Sequence, residues 1–137
     1  MKQFIEKIIF KTKKSEIINI TEIVKDTIQK STINNGLLNL SILHTSCSLM
    51  IQENADSTVM NDIKNFLNKI APEDNYLHDA EGPDDMPAHL KSLLTQSNLT
   101  ISVNNKKILL GTWQGIFLIE HRYQQKSREL IFHLLGE

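Results

Sequence analysis

Short stretches in which every second residue is apolar recur along this chain, and they limit its fold more than any other feature. The pattern is clearest in residues 37–44, where every second side chain is apolar up to Ile42 and His44 continues the same face. This alternation is typical of a strand, because successive side chains of a strand point to opposite faces. Related apolar patterns predict further strands over 3–12, 15–20, 46–52, 98–103, 107–112, 115–121 and 128–135.

Three helices are expected between these strands. Thr21 is predicted to be the N-cap of a helix that runs to about Lys30. Asn54 is predicted to cap a second helix that Pro72 ends, and Pro87 opens a short helix over roughly 87–95. Many short strands with two or three helices predict one compact α+β domain over 1–137, with a mainly antiparallel, sandwich-like sheet.

Composition excludes several classes of function. The 15 basic and 16 acidic side chains give a net charge of −1, so a general electrostatic hold on nucleic acid is not expected. The single cysteine, Cys47, excludes an internal disulfide and a Cys-rich zinc module. No segment approaches the roughly 20 apolar residues of a membrane span, and Glu6 and Lys7 interrupt the N-terminal apolar run. We therefore expect a cytoplasmic protein with neither nucleic acid nor membrane as a partner.

The first polar cluster, HTSCS over 44–48, lies at the joint between two predicted strands. Its imidazole, hydroxyl and backbone N–H groups are suited to binding a ligand. The alternative is a polar turn with one buried, hydrogen-bonded histidine. Cys47 is a possible nucleophile beside His44, but a strand cysteine among apolar neighbours is usually inert packing.

The second and third clusters are acidic. Glu53, Asn54 and Asp56 precede the second helix, where the alternative to a functional role is ordinary capping, since a carboxylate there complements the helix dipole. The third cluster, HDAEGPDDMPAH over 78–89, carries four carboxylates and two histidines. Carboxylates bind Mg²⁺ and imidazole suits zinc-type ions. The alternative for this cluster is a solvated acidic loop.

The fourth cluster combines GTWQG over 111–115 with two arginines near the C-terminus. Its two glycines permit close backbone approach to a ligand, or a bulge. Arg122 and Arg128 are able to clamp a phosphate or a carboxylate, because the guanidinium fork matches such oxygens. The alternative is a pair of surface salt bridges.

Two histidines end predicted strands on their apolar faces, namely His44 and His121. Together with His89 near the start of the short helix, they would form a three-histidine site if the strand ends converge. Three histidines with an open position are typical of a catalytic zinc-type centre. The alternative is that each histidine is a hydrogen-bonded core residue, and no HxH or HExxH spacing supports the metal site locally.

Taken together and in this order, four stretches resemble the YjbQ-like family, often labelled secondary thiamine-phosphate synthase. They are HTSCSLMIQENAD (44–56), HDAEGPDDMPAHLKS (78–92), GTWQGIFLIEHR (111–122) and LLGE (134–137), and the resemblance covers essentially the whole chain. Cys47 stands where the family is expected to have alanine, which argues against a thiol nucleophile.

The resemblance implies an α+β domain that assembles as a homotrimer, with the polar motifs gathered in one pocket near a subunit boundary. It implies metal ligands, catalytic groups and binders of substrate or anion. The implied metal ligands are His44, His89 and His121. The implied catalytic groups are Asn54, Asp56, Asp79 and Glu81. The implied binders are Thr45, Ser46, Arg122 and Arg128.

The activity that the resemblance implies joins hydroxymethylpyrimidine diphosphate to thiazole phosphate with release of pyrophosphate, as a main or a side activity. A divalent cation would neutralise the leaving charge, either as a zinc-type ion at the histidines or as Mg²⁺ brought in with the diphosphate. Two alternatives stay open. One is a metal-dependent hydrolase of another small substrate, and the other is a non-catalytic trimer that binds a metal or a metabolite.

Overall fold

Eight strands form two antiparallel sheets in the computed structural model, which describes residues 1–137. The five-stranded sheet has the order β1 (Lys2–Lys11), β8 (Ser127–Gly136), β3 (Gly36–Ile42), β5 (Asn98–Asn104) and β6 (Lys107–Ile108). The three-stranded sheet has the order β2 (Glu16–Asn19), β7 (Gln114–Glu120) and β4 (Cys47–Glu53). These sheets confirm the predicted α+β class with a sandwich-like antiparallel arrangement.

Three helices connect the strands: α1 (Thr21–Lys30), α2 (Ser57–Ile70) and α3 (Asp85–Leu94). All three were expected from the sequence, within a few residues at their ends. None of them is long and apolar enough to cross a membrane.

The core is built from the alternating apolar positions of both sheets together with one face of α1. In β8, for example, Leu130, Phe132 and Leu134 are fully buried while their neighbours in the strand are more exposed. Each such side chain contributes about 1.5–3 kcal/mol when it leaves water. This alternation fixes the register of β8 between β1 and β3, because a slip by one residue would expose the whole apolar set.

Helix starts differ from the sequence-based expectation. The N-cap of α2 is Asp56 rather than Asn54, and its carboxylate accepts hydrogen bonds from the backbone N–H and the hydroxyl of Thr58. The N-cap position of α1 is Ile20, because the Thr21 hydroxyl instead accepts a 2.9 Å hydrogen bond from the backbone N–H of Ile116 in β7.

The start of α3 lies two residues earlier than predicted, at Asp85 rather than Pro87. Proline is tolerated here because the first four N–H groups of a helix have no intrahelical acceptor. Strand β6 is shorter than the predicted 107–112. Beyond it the chain turns, since the Gly111 N–H donates to the side-chain oxygen of Gln114 at 2.7 Å.

Candidate metal centre

A cluster of two imidazoles and one carboxylate lies at the N-terminal end of α3. Only His78, Asp85 and His89 form a group of three possible ligands whose ligand atoms all lie within 4.8 Å of one another. One oxygen of Asp85, Oδ2, lies 2.7 Å from His78 Nε2 and 3.3 Å from His89 Nε2. Asp85 and His89 share one helix face because they are four residues apart, and the loop before α3 supplies His78.

Arg122 fixes the second oxygen of this carboxylate. Its Nη1 donates to Asp85 Oδ1 at 2.6 Å, and its Nε donates to Asp84 at 3.0 Å. Its Nη2 donates to the backbone carbonyl of Glu81 at 2.8 Å. Arg122 is buried and follows the end of β7, so it anchors the start of α3 to the sheet. Asp85 Oδ2 is thereby turned towards the two histidines.

The tautomer of His89 follows from its second hydrogen bond. His89 Nδ1 lies 2.8 Å from the backbone carbonyl of Thr45. A carbonyl oxygen only accepts, so Nδ1 carries the proton and the Nε2 lone pair of the neutral ring faces Asp85. An imidazole lone pair and a carboxylate 3.3 Å apart repel unless a proton or a cation lies between them. A histidine whose other nitrogen is held by a carbonyl is the usual arrangement of a metal ligand.

Charge also favours a cation in this cluster. Burial of the Asp85 carboxyl opposes its ionisation, but the hydrogen bond with His78 and the positive charge of Arg122 outweigh burial, so its pKa is lowered. The pKa of Asp84 is also lowered: burial again opposes ionisation, and hydrogen bonds from the Tyr123 backbone N–H and from Arg122 outweigh it. The site therefore presents an ionised carboxylate beside two imidazoles near neutral pH.

An open cavity of about 250 Å³ adjoins the cluster on the His89 side. Its wall is formed by His44, Thr45, His89, Ser92, Leu93 and Ser97. The hydroxyl oxygen of Ser92 is the one buried side-chain polar atom of the chain that has no hydrogen-bond partner. The cavity is thus bordered by two imidazoles and an apolar side chain, and the Ser92 hydroxyl oxygen is buried beside it.

His44 lines this cavity but is not placed to bind a metal. Its Nε2 accepts the backbone N–H of Glu129 at 2.7 Å, so the neutral ring carries its proton on Nδ1. Burial first, and then the charge of Arg128, lower its pKa. Nε2 is therefore occupied as an acceptor, and Nδ1 carries a proton, so neither nitrogen of the neutral ring offers a lone pair to a metal.

His121 lies apart from the cluster, inside the protein. Its Nε2 is 2.8 Å from the hydroxyl of Ser48. Burial first, and then the charges of Lys91 and Arg128, lower its pKa to about 3. The predicted set of three ligands, His44, His89 and His121, is therefore not assembled within one chain, and only His89 belongs to a cluster.

The two arginines do not present free guanidinium groups to an anion, contrary to the sequence-based interpretation. Arg122 is engaged by the carboxylates around Asp85. Arg128 is buried and donates to both carboxylate oxygens of Glu120 and to the Ser46 hydroxyl at 3.0 Å. The Ser46 hydroxyl thus already binds Arg128. Thr45 takes part in the candidate site through its backbone carbonyl, which binds His89.

The predicted catalytic groups fall into two places. Asp79 and Glu81 are exposed in the loop before α3, with the Glu81 carboxylate 3.9 Å from Arg122. Asn54 and Asp56 lie at the opposite end of the three-stranded sheet, about 20 Å away along β7 at about 3.3 Å per residue. One chain therefore does not gather all the polar motifs into one pocket.

Sequence reasoning missed Asp85 and His78 as members of the candidate cluster. The signal was present, because Asp85 and His89 stand four residues apart and share a face once the helix begins at Asp85 rather than at Pro87. Ser92 was also missed, and no pattern in the sequence distinguishes its hydroxyl from any other on a helix.

Comparisons with known proteins all give the same family, and together they cover nearly the whole chain. A family model described as UPF0047 protein YjbQ-like matches residues 6–137. The chain is 41% identical over 138 residues to the UPF0047 protein sll1880 of Synechocystis sp., covering 99% of this chain and 94% of that relative. It is 44% identical over 117 residues to the UPF0047 protein YjbQ of Escherichia coli O157:H7, covering 85% of each.

Several solved structures have the same fold as this chain. A YbjQ-like protein of unknown function from Sulfolobus solfataricus superposes with a TM-score of 0.92 at 25% identity, covering 99% of both chains. The conserved hypothetical protein TT1486 of Thermus thermophilus gives a TM-score of 0.82 at 34% identity, covering 95% of this chain and 99% of the other.

Proposed function

The chain belongs to the UPF0047 YjbQ-like family, and on that premise we propose that it is a metal-dependent enzyme that acts on a small substrate beside His78, Asp85 and His89. One observation carries the proposal. Two imidazole nitrogens converge on a single carboxylate oxygen within 3.3 Å, while the His89 Nδ1–H is held by the Thr45 carbonyl.

The donor set favours a zinc-type or similar first-row ion over Mg²⁺. Imidazole suits zinc, copper, iron and nickel, whereas Mg²⁺ favours carboxylate, carbonyl and water oxygens. Two histidines with one carboxylate occur in catalytic zinc sites, which keep a position open for water or substrate. When bound, such an ion supplies Lewis-acid stabilisation of negative charge or a lowered pKa of bound water.

The surrounding residues have definable tasks in this proposal. Arg122 orients the Asp85 carboxylate, and the Thr45 carbonyl orients the His89 ring. His44 offers its Nδ1–H as a donor to a substrate oxygen, since its Nε2 is already occupied. The Ser92 hydroxyl, which has no partner within the chain, supplies a further hydrogen bond to a substrate after a side-chain rotation.

The proposed reaction is the transfer that makes thiamine phosphate; an ion held by His78, Asp85 and His89 would supply positive charge for the pyrophosphate leaving group. The cavity of about 250 Å³ is below the range of about 300–1,000 Å³ usual for ligand sites, so two substrates require more surface than one chain provides. A homotrimer would supply it, and three exposed leucines favour such a contact: Leu77, Leu93 and Leu94.

The buried arginines support a second candidate, a metal-dependent hydrolase of another small substrate. Because neither guanidinium is free to bind a diphosphate, the same ligands would instead serve the activation of water. Phosphoester or amide turnover without formation of thiamine phosphate would select this reaction.

Metal content of matched variants tests the proposed centre. Wild-type protein loaded with Zn²⁺ and desalted is expected to hold one equivalent per chain by elemental analysis. His78→Ala is expected to lose the zinc, because the variant lacks one of the three ligands. Its fold is expected to stay intact, because the His78 side chain is half-exposed. His44→Ala is expected to keep the zinc, whereas a three-histidine centre would lose it. The control is His133→Ala on the outer face of β8.

Retention of zinc in His78→Ala with loss in His44→Ala would overturn the ligand assignment. The catalytic part is tested by incubating the zinc-loaded protein with hydroxymethylpyrimidine diphosphate and thiazole phosphate, and measuring thiamine phosphate. Product in wild type but not in His78→Ala supports the transfer. Metal binding without any product would leave the centre standing and refute the reaction.

A further inference from the structure

Two adjoining cavities lie at the other end of the three-stranded sheet, and we propose that together they bind a phosphorylated sugar. One has a volume of about 370 Å³ and the other about 350 Å³. They share Lys25 and Ile108 in their walls, so a ligand is able to extend from one into the other. The metal centre takes no part in this site.

The first cavity is lined by amide groups whose orientations are already fixed. The Asn19 carbonyl oxygen accepts from the Thr21 hydroxyl at 2.6 Å, which leaves the Asn19 amide NH₂ free. The Asn54 NH₂ donates to two backbone carbonyls, which leaves its carbonyl oxygen free. The Gln114 carbonyl oxygen accepts from the Gly111 N–H, which leaves its NH₂ free.

These free groups match the chemistry of a sugar ring. The cavity offers two free amide donors and one free acceptor, and each sugar hydroxyl both donates and accepts a hydrogen bond. Glu22 and Lys25 pair at 2.9 Å, so this part of the wall adds no net charge. Ile108 and Leu110 supply an apolar side for the C–H face of a ring.

Gly111 in the wall of this cavity is a glycine that the fold itself does not require. Its φ is not positive, since Gly82 is the one glycine in that region. A Cβ added at Gly111 would meet its nearest neighbour, Gln114 Oε1, at 3.4 Å, which is ordinary contact. Neither the backbone nor the packing therefore requires glycine, whereas a ligand that approaches the backbone closely would.

The second cavity supplies positive charge for a phosphate. Three lysines line it: Lys25, Lys106 and Lys107. Lys25 pairs with Glu22, and the Lys106 ammonium donates to the Ser31 carbonyl at 2.7 Å, so the Lys107 ammonium is the one without a partner in the chain. Asn105 and Lys106 adopt positive φ values of 49° and 59°, as in the tight hairpin turns that join two strands. The turn places Lys106 and the exposed Lys107 side by side at the cavity. Lysine binds phosphate as a point charge.

Calorimetric titration of the full-length protein with ribose 5-phosphate, free ribose and inorganic phosphate tests this proposal. We expect one site per chain for ribose 5-phosphate, with an affinity at least tenfold above that of either fragment. Lys107→Glu, an exposed substitution that leaves the fold intact, is expected to lower the affinity at least tenfold. Lys14→Glu, at an exposed position in another loop, is the matched control and is expected to change nothing.

Gly111→Val adds a side chain to the wall of the first cavity and is expected to abolish binding of the sugar phosphate, with folding checked by circular dichroism. Three results would overturn the proposal: no binding at millimolar ribose 5-phosphate, binding no tighter than that of inorganic phosphate, or equal losses in Lys107→Glu and Lys14→Glu. None of these measurements depends on metal or turnover, so this proposal fails or stands separately from the proposed enzyme.

Discussion

Acidification from pH 7 to pH 5 is expected to destabilise the folded protein through His121 alone by about 2 kcal/mol. This imidazole is 3% exposed. Burial, together with the charges of Lys91 and Arg128, lowers its pKa from 6.5 to about 3. In the unfolded chain the same group takes up a proton near pH 6.5.

The sign follows from which state binds the proton. Between about pH 6.5 and pH 3, His121 is protonated in the unfolded chain and neutral in the folded chain. The free energy of unfolding therefore falls as the pH falls through this window. One proton corresponds to at most about 1.36 kcal/mol per pH unit. Integrated from pH 7 to pH 5, the loss is about 2 kcal/mol, because the first part of that range lies above the unfolded pKa.

The assay is urea denaturation of wild type and His121→Gln at both pH values and one protein concentration. Glutamine keeps a hydrogen-bonding partner for Ser48 and has no titration in this range. Every other group titrates alike in the two proteins, so the difference between their free energies of unfolding isolates His121. That difference is expected to shrink by about 2 kcal/mol at pH 5. A difference that stays constant to within about 0.5 kcal/mol refutes a buried, neutral His121.

Three further predictions concern stability and reactivity. Glu120→Gln leaves Arg128 buried without its counter-charge and is expected to lower the free energy of unfolding by about 3–5 kcal/mol; a loss below about 1 kcal/mol in urea denaturation contradicts this. Gly36→Ala places a Cβ 2.1 Å from a backbone oxygen of β8 and is expected to lower Tm by about 10 °C, whereas Gly111→Ala leaves Tm nearly unchanged. Burial raises the pKa of Cys47 to about 12, so a thiol reagent at pH 8 is expected to label it only after denaturation; rapid labelling of the native protein would contradict this.

The order of strands and helices was predictable from the sequence because periodicity is a local property. The alternation in β3 and β8 is visible in the sequence itself. Capping was less predictable, because it depends on partners elsewhere in the fold. The Thr21 hydroxyl binds the backbone of Ile116, 95 residues away, and no local pattern reveals this competitor.

The candidate site was predictable only in part, because its side chains also depend on partners elsewhere in the fold. Residue types pointed to the loop that holds His78 and to the helix that holds His89, but the role of each imidazole depends on distant backbone groups. Glu129, which occupies His44 Nε2, is 85 residues away in the chain. Arg122 was expected to bind anions from solution, and carboxylates 37 and 38 residues earlier occupy it instead.

The anchoring of the loop before α3 by Arg122 has a consequence for ligand affinity. Residues 71–84 contain no helix or strand, and a free segment of this kind loses about 1–2 kcal/mol of conformational entropy for each residue that becomes ordered. Arg122 holds the Glu81 carbonyl and the side chains of Asp84 and Asp85, so this entropy is lost during folding. A ligand at His78 meets a preorganised loop, and its binding free energy is not reduced by the ordering of that segment.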